Sequence, residues 1–458
     1  MRLTAACLAE WAKGRLVACD PLREVTGISA DSRSIAAGQA FVALKGLRFD
    51  GHEFAAEALQ KGASLAIVQR PEPLGNRPGI IVADTLQALG EIAHRYRWQQ
   101  PLIPWVAVTG SNGKTTTRSM IAHLLRSRGA VAEPRANFNN AVGLPLTILE
   151  RPDDAWAGVL EIGTNAPGEV AYLTRIAMPT IAVVTSIGPA HLENFGTLEA
   201  IAHEKGAIFE RLPNDGLAIY PAQCLCNHIL AGKVRVARAT FGLDKPADLV
   251  AERITSTAEG IAFQVRGVCF RLRLLGRHNV LNCLAALLVG QRLGIAIKDA
   301  ASVLEDFTAA GGRLERIAGD SVVILNDSYN ANPASLQAAI EVLESWPAAR
   351  RIAIIGDMLE LGIASRQMHR EAGRAMGQRK LDAVITVGRE AVALAEGASS
   401  ANARLLVRHF PNVKSLLLAI DDLLADGDVI LVKGSRGMHM EDVVRALKIW
   451  QPPERGAI

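Results

Sequence analysis

The chain has 458 residues, 49% of them hydrophobic and 21% charged, with a formal net charge of +4. That length exceeds what one core supports, so two or three domains are expected, and the charge is too small to demand a nucleic-acid partner. No apolar run approaches the roughly 18 residues of a membrane span, and the first stretch, MRLTAACLAEWAKGRL, is interrupted by Glu10 and Lys13, so a cytoplasmic protein without a membrane span is expected.

Residues 1–84 read as a small α/β unit. QAFVAL and SLAIV are apolar stretches around a helical HEFAAEALQKGA, and the unit closes near RPEPLGNRPG and IIVAD. No catalytic constellation is visible there. Residues 85–312 form a second unit that opens on WVAVTGSNGKTTT at 105–117. This is an apolar strand, a glycine turn through Gly110 and Gly113, and then Lys114 at the start of a helix whose apolar face is Met120, Ile121, Leu124 and Leu125. Backbone N–H groups of Ser111, Asn112 and Gly113, the Lys114 charge and the helix dipole suit nucleotide phosphates, and a hydroxyl of Thr115 or Thr116 suits Mg²⁺. The turn has two residues between its glycines where the common P-loop has four, with Val108 where the first glycine would stand.

VLEI at 159–162 and TIAVVT at 180–185 are continuous apolar runs of the buried parallel type. From about 217 to 275 the runs are shorter and alternate, as in VCFRLRLL, and read as an antiparallel addition. GGR at 311–313 is a hinge candidate. From 313 to 458 strand and helix alternate through VVILND, RIAIIGD, DAVITVG, RLLV and DVILVKG, which predicts a doubly wound parallel sheet of five or six strands. The six cysteines lack C-x-x-C spacing, and Cys224 and Cys226 stand too close for a zinc knuckle.

Polar residues follow the strands at the edge where such sheets bind ligands. Glu161 ends VLEI and His191 follows TIAVVT; the pair could ligate Mg²⁺ or could cap a turn and bond a carbonyl. Lys205 sits in a helical IAHEKGAIF, where a lysine is usually solvated. His278 and Asn282 are four apart on a helix, and Asn282 suits either adenine or a buried capping network. NDSYNANPAS concentrates Asp327, Tyr329, Asn330 and Asn332 before Pro333, while KGSRGM offers Lys433 and Arg436 to a carboxylate or phosphate.

Taken together these segments resemble the Mur ligase family, the ATP-dependent amide ligases of bacterial cell-wall precursor synthesis. The match extends through DSR at 31–33, GQAFVALKG at 38–46, FDGH at 49–52, TGSNGKTTT, NFNNAVGLP at 137–145, EIGTNAPGE at 161–169, SIGPAHLENFG, NDSYNANP, GDMLELG at 356–362 and KGSRGMHME. The short P-loop is shared with folylpolyglutamate synthase, whereas NFNN, GTNAPGE and SYNANP point to the dipeptide-adding branch. The fold implied is α/β with three domains: a small uridine-nucleotide-binding domain at 1–84, a central ATP-binding parallel-sheet domain with an antiparallel addition at 85–312, and a Rossmann-like doubly wound domain at 313–458.

The resemblance implies ATP and two Mg²⁺ ions as cofactors, and UDP-N-acetylmuramoyl-tripeptide and D-alanyl-D-alanine as substrates. It places Gly110, Ser111, Asn112, Gly113, Lys114, Thr115, Thr116, Asn282, Arg313, Asp327 and Tyr329 at ATP, and Thr115, Glu161, His191 and a carbamylated Lys205 at metal. Lys114, Lys205 and His191 are the catalytic candidates. Ser32, Arg33, Asp50, Gly51, His52, Asn137, Asn139 and Asn140 are implied at the UDP substrate, and Asn330, Asn332, Lys433, Ser435 and Arg436 at the dipeptide. One departure is Asn326, where the family often has an acidic residue, so ribose contact would rest on Asp327 alone. A monomer is expected, with the third domain closing onto the second. The rival readings are another ligase of the superfamily and a nucleotide-gated scaffold that makes no amide bond.

Overall fold

Three sheets rich in parallel strands carry the fold of this computed structural model, which describes residues 1–46, 48–99, 103–135, 137–244 and 246–452. The expected third-domain terminus at 458 lies outside the described residues. The first sheet runs in the order Arg15–Val17, Gly79–Ile81, Leu65–Val68, Gln39–Val42 and Gly27–Ser29, with the Arg15 edge antiparallel and the other pairs parallel.

The central sheet is parallel throughout, in the order Leu249–Val250, Ala237–Gly242, Leu217–Pro221, Ile181–Val184, Trp105–Thr109, Ala157–Glu161 and Val131–Ala132. Its three middle strands, Ile181–Val184, Trp105–Thr109 and Ala157–Glu161, are buried along their whole length, as a sheet covered on both faces requires. Register sets Glu161 beside Val108 and Val184 beside Thr109. Thr109, Glu161 and Val184 therefore end at one carboxyl edge.

The antiparallel reading of 217–275 needs correction over its first half. Leu217–Pro221, Ala237–Gly242 and Leu249–Val250 extend the parallel sheet, and within 217–275 the antiparallel pairing is that of Glu252–Thr257, Gly260–Val265 and Val268–Leu272. Ala237–Gly242 begins exposed and ends buried, so its broken apolar pattern reflects a position near the sheet's edge.

The third sheet runs Glu315–Ala318, Val323–Asp327, Val429–Lys433, Arg351–Gly356, Ala383–Val387 and Leu406–Phe410, parallel except for its Glu315 edge. Successive side chains divide between two cores: Ala353, Ile355, Val384 and Leu431 on one face, Ile352, Ile354, Ile385, Ile430 and Val432 on the other. That two-residue period is what helices on both sides demand.

Helix Lys114–Arg126 buries Met120, Ile121, Leu124 and Leu125 completely, against Val280, Cys283, Leu284 and Leu287 of helix His278–Arg292. Each such side chain stabilises by about 1.5–3 kcal/mol, which anchors the helix and fixes where its first turn stands. A single apolar core links Ile28 and Ile67 of the first sheet, with Leu8 of helix Ala5–Trp11, to helix Thr85–Trp98 and on to Trp105 and Leu160 of the central sheet and Ile176 of helix Glu169–Ala177. Among the described residues, no helix is long and apolar enough to cross a membrane.

Candidate active site

The phosphate-type turn is held from outside. Ser111 N–H donates to Ser186 O at 2.8 Å, Asn112 N–H to Ser186 Oγ at 2.8 Å, and Ser111 Oγ to Gly188 O at 2.9 Å, so the segment after Ile181–Val184 clamps the loop. Gly113, at φ 83°, occupies the left-handed region just before the helix, and a Cβ there would collide with Asn282 Oδ1. Lys114 Nζ donates to Gly110 O at 2.8 Å and Ser111 O at 3.3 Å. Burial lowers its pKa, Glu161 nearby raises it and Arg313 lowers it. We expect Gly113→Ala to cost about 1–3 kcal/mol of stability through backbone strain and to weaken nucleotide binding, as a denaturant midpoint and a nucleotide titration would report.

Across the loop, Glu161 is 2% exposed. Its Oε1 accepts from Asn139 Nδ2 at 2.8 Å, whereas its Oε2 is buried without a hydrogen-bond partner. A carboxylate oxygen in that state carries an uncompensated desolvation penalty and suits a hard cation. Thr115, 8% exposed, brings its hydroxyl to the same cavity. Among the described residues, no group of three His, Cys, Asp or Glu side chains converges as a metal cage. The oxygens of Glu161 and Thr115 are the donor type magnesium takes, with waters and substrate phosphates completing its shell.

Lys205 is 1% exposed at the end of helix Leu198–Gly206. Burial, reinforced by the Lys114 charge, drives its pKa well below the ordinary lysine range, with Glu204 acting the other way. The solvated reading of Lys205 is thus corrected: the helix turns this lysine inward. Its neighbour Glu204 accepts from Gly168 N–H and Val170 N–H, both at 2.8 Å, capping helix Glu169–Ala177 and fixing the junction.

The third sheet closes this site. Arg313 Nη2 donates to Thr115 Oγ1 at 3.0 Å, and its guanidinium lies 4.0 Å from the centre of the Tyr329 ring, which Arg436 approaches at 5.7 Å. Asn332 Nδ2 donates to Asn112 Oδ1 at 2.7 Å and Asn112 Nδ2 returns a bond at 3.3 Å, so the P-loop and the N-cap of helix Pro333–Ser345 are clasped amide to amide. His191 Nδ1 stands 2.6 Å from Glu360 Oε2, and this contact holds the Glu360 carboxyl below the usual range. Together they enclose a cavity of about 600 Å³, lined by Lys114, Thr115, Glu161, His191, Arg313 and Tyr329 among others, within the span of small-molecule sites.

Family profiles cover most of the chain: Mur ligase family, catalytic domain, at residues 24–97; Mur ligase middle domain at 108–290; and Mur ligase, glutamate ligase domain, at 312–436. The chain belongs to the Mur ligase family. It is 38% identical over 456 residues to the UDP-N-acetylmuramoyl-tripeptide--D-alanyl-D-alanine ligase of Bacillus subtilis, covering 98% of each chain, and 36% identical to that of Escherichia coli, covering 92% of this chain and 93% of the other. Among solved structures it resembles MurF from Acinetobacter baumannii, with a TM-score of 0.91, 33% identity and coverage of 98% and 99%. MurF ligase from Thermotoga maritima in complex with ADP matches at a TM-score of 0.82, with 28% identity and coverage of 92% and 97%.

Asn282, Asp327 and Lys433 line the same cavity and are bonded within the chain as well. Asn282 is 7% exposed, accepts from Thr117 Oγ1 at 3.2 Å and donates to Asn279 Oδ1 at 2.9 Å, the capping network weighed against adenine. Asp327 accepts from Lys433 Nζ at 2.5 Å and Leu314 N–H at 3.1 Å. Lys433, 1% exposed, also donates to Asn330 O at 2.9 Å, so both charges of this pair are committed to each other. Ser435 Oγ accepts from Leu359 N–H at 2.8 Å and donates to Ala331 O at 3.3 Å, joining two loops. Asn326 donates to Glu315 Oε2 at 3.1 Å; an aspartate there would face that carboxylate, which accounts for the departure.

Asn137, Asn139, Asn140, Asn330 and Asn332 line the cavity, though Asn140 Oδ1 also accepts from Val142 N–H at 3.1 Å and Gly143 N–H at 2.9 Å. Ser32, Arg33, Asp50, Gly51 and His52 are not among its walls. Arg33 pairs with Asp31 at 2.7 Å, holding that carboxyl at about 2. His52 is 3% exposed, with Nδ1 2.6 Å from Asp50 and Nε2 accepting from Gln69 N–H at 3.0 Å. Its ring holds the turn together. Motif reading overlooked Thr185, Ser186 and Glu360, although the last stands inside GDMLELG.

Proposed function

We propose that this chain joins D-alanyl-D-alanine to UDP-N-acetylmuramoyl-tripeptide in an ATP-dependent amide ligation that passes through an acyl phosphate. The observation that carries the reading is the convergence, in one cavity, of the P-loop lysine Lys114, the buried Glu161 carboxylate with one unpartnered oxygen, His191, and Arg313 from the segment leading into the third sheet. Relatives bearing the name of that reaction span the chain from end to end and support it. Three domains, 1–84, 85–312 and 313–458, carry the acceptor, ATP and the dipeptide respectively.

A carboxylate is a poor electrophile. Transfer of the γ-phosphoryl group of ATP to the terminal carboxylate of the tripeptide makes a mixed anhydride; the dipeptide amine then attacks its carbonyl, and phosphate leaves. The chain's task is to hold several anions together, so positioning and charge dominate. Lys114 and the loop N–H groups face the phosphates, and Arg313, levelled by the Tyr329 ring, reaches them from the third sheet. Thr115, Glu161 and His191 would hold magnesium, which when bound neutralises phosphate charge. Lys205, whose pKa burial lowers well below the ordinary lysine range, is a nucleophile for carbon dioxide in its amine form: its Nζ–C bond forms as one C–O π pair moves to oxygen, a proton is released, and the resulting carbamate anion would be able to hold a second ion. Arg436, exposed beside Tyr329, is the candidate for the dipeptide carboxylate.

The test is ADP release with UDP-N-acetylmuramoyl-tripeptide and D-alanyl-D-alanine, each omitted in turn. Release that needs both, with a joined pentapeptide as product, is expected. Release indifferent to the dipeptide would reject the ligase reading.

A further inference from the structure

Two turns from different sheets meet at the rim of this cavity. On the central side His191 takes a left-handed backbone, φ 58°, uncommon for a residue with a side chain, directly before the short helix Leu192–Phe195. From the third sheet, the turn after strand Arg351–Gly356 brings up Glu360 and Gly362. Glu193 N–H donates to Glu360 O at 3.0 Å, and the Glu360 carboxylate stands 2.6 Å from His191 Nδ1. Gly362 also has positive φ, and a Cβ there would lie 3.1 Å from Glu193 Cα. One ionic, one backbone and one steric contact thus tie together four residues, His191, Glu193, Glu360 and Gly362.

A solitary surface ion pair would be worth about 0–1 kcal/mol and would matter little. This pair differs because its histidine lines the cavity while its carboxylate belongs to the other body. Histidines that ligate metal usually offer their second ring N–H to a carboxylate or carbonyl, which fixes tautomer and ring angle. Coulomb attraction at this separation favours the proton on Nδ1 and leaves Nε2 as the unprotonated nitrogen.

We propose that Glu360 is a positioning residue: docked with the third sheet, its carboxylate sets the tautomer and orientation of His191, so that one wall of the central site is completed only when the two bodies are closed. The proposal rests on the reading of His191 given under Proposed function. It makes closure part of site assembly.

The test joins histidine ¹⁵N NMR of the whole enzyme without nucleotide to steady-state turnover, with the His191 signal assigned by its loss in His191→Asn. Wild type and Glu360→Gln, whose carboxamide oxygen still accepts a hydrogen bond, are expected to show one Nδ1–H tautomer for the neutral ring. Glu360→Ala is expected to show a tautomer mixture and a kcat lower by about 10–100-fold, with KM for the UDP substrate moved by less than about threefold, and Glu360→Gln restores most of the rate. Gly362→Val, which presses on Glu193 and leaves the carboxylate in place, is expected to give the same mixture. An unchanged tautomer in Glu360→Ala or Gly362→Val, or a kcat for Glu360→Ala within about twofold of wild type, overturns the proposal. If the wild-type enzyme makes no amide bond, the ligase reading fails, and the NMR result still judges the contact by itself.

Discussion

Lys114→Ala is expected to lower turnover roughly 10²–10³-fold, the loss that follows removal of one preorganised electrostatic contact to a developing charge. Nothing nearby can replace it in kind. Lys114 Nζ is held at the mouth of the glycine turn by Gly110 O and Ser111 O, so the ammonium reaches a phosphate without first losing side-chain freedom. Arg313 is the other cation at this spot, but it is engaged with Thr115 and stacked on Tyr329. Lys114→Arg should recover little, because the longer planar group cannot occupy the space between those two carbonyls. Steady-state ADP release decides the matter: near-normal turnover in Lys114→Ala would remove the phosphate role from this lysine.

Lys205→Ala is expected to be inactive and to regain part of its rate when short carboxylic acids such as formate or acetate are supplied. The argument begins with burial. An ammonium 1% exposed and repelled by Lys114 is poorly placed to stay charged, and no hydrogen bond or ion pair among the described residues reaches it. Carbamylation reverses the sign: the buried cation becomes an anion beside Lys114, and repulsion becomes attraction. Truncation to alanine leaves room for a small carboxylate to take the same place. Activity that stays absent at every acid concentration, in a variant with the wild-type melting temperature, would leave the carbamate without support.

The middle strands announced themselves because both of their faces are covered. VLEI and TIAVVT could hardly be anything but buried strands, and the same holds for the inner strands of the third sheet, whose two-residue period feeds two cores. The failures lie at edges. Ala237–Gly242 is half bare and so looked like a hairpin strand, and Glu315–Ala318, largely exposed, left no apolar trace at all. The site divides in the same way. Gly113, Lys114 and Glu161 were legible because each sits at a strand end or turn whose chemistry shows in a short segment, whereas composition and helix pattern alone made Lys205 a solvated lysine and only the family resemblance gave it a role. Glu360 was invisible for a different reason: its effect is exerted on a residue 169 positions away (360 − 191) across a junction. In FDGH, which the resemblance placed at the UDP substrate, Asp50 and His52 bond to each other and His52 to Gln69.

The apolar core that runs unbroken from the first sheet into the central one has a consequence for the shape of a substrate. Sheets welded through Trp105 and helix Thr85–Trp98 cannot slide past one another without opening that core, whereas the third sheet meets the P-loop through amides and charges that exchange readily with water. The fused pair therefore behaves as a ruler of constant length. A molecule gripped at one end of it would present its far terminus to Lys114 only by spanning that fixed distance with its own backbone, so such an arrangement would measure length as well as chemistry.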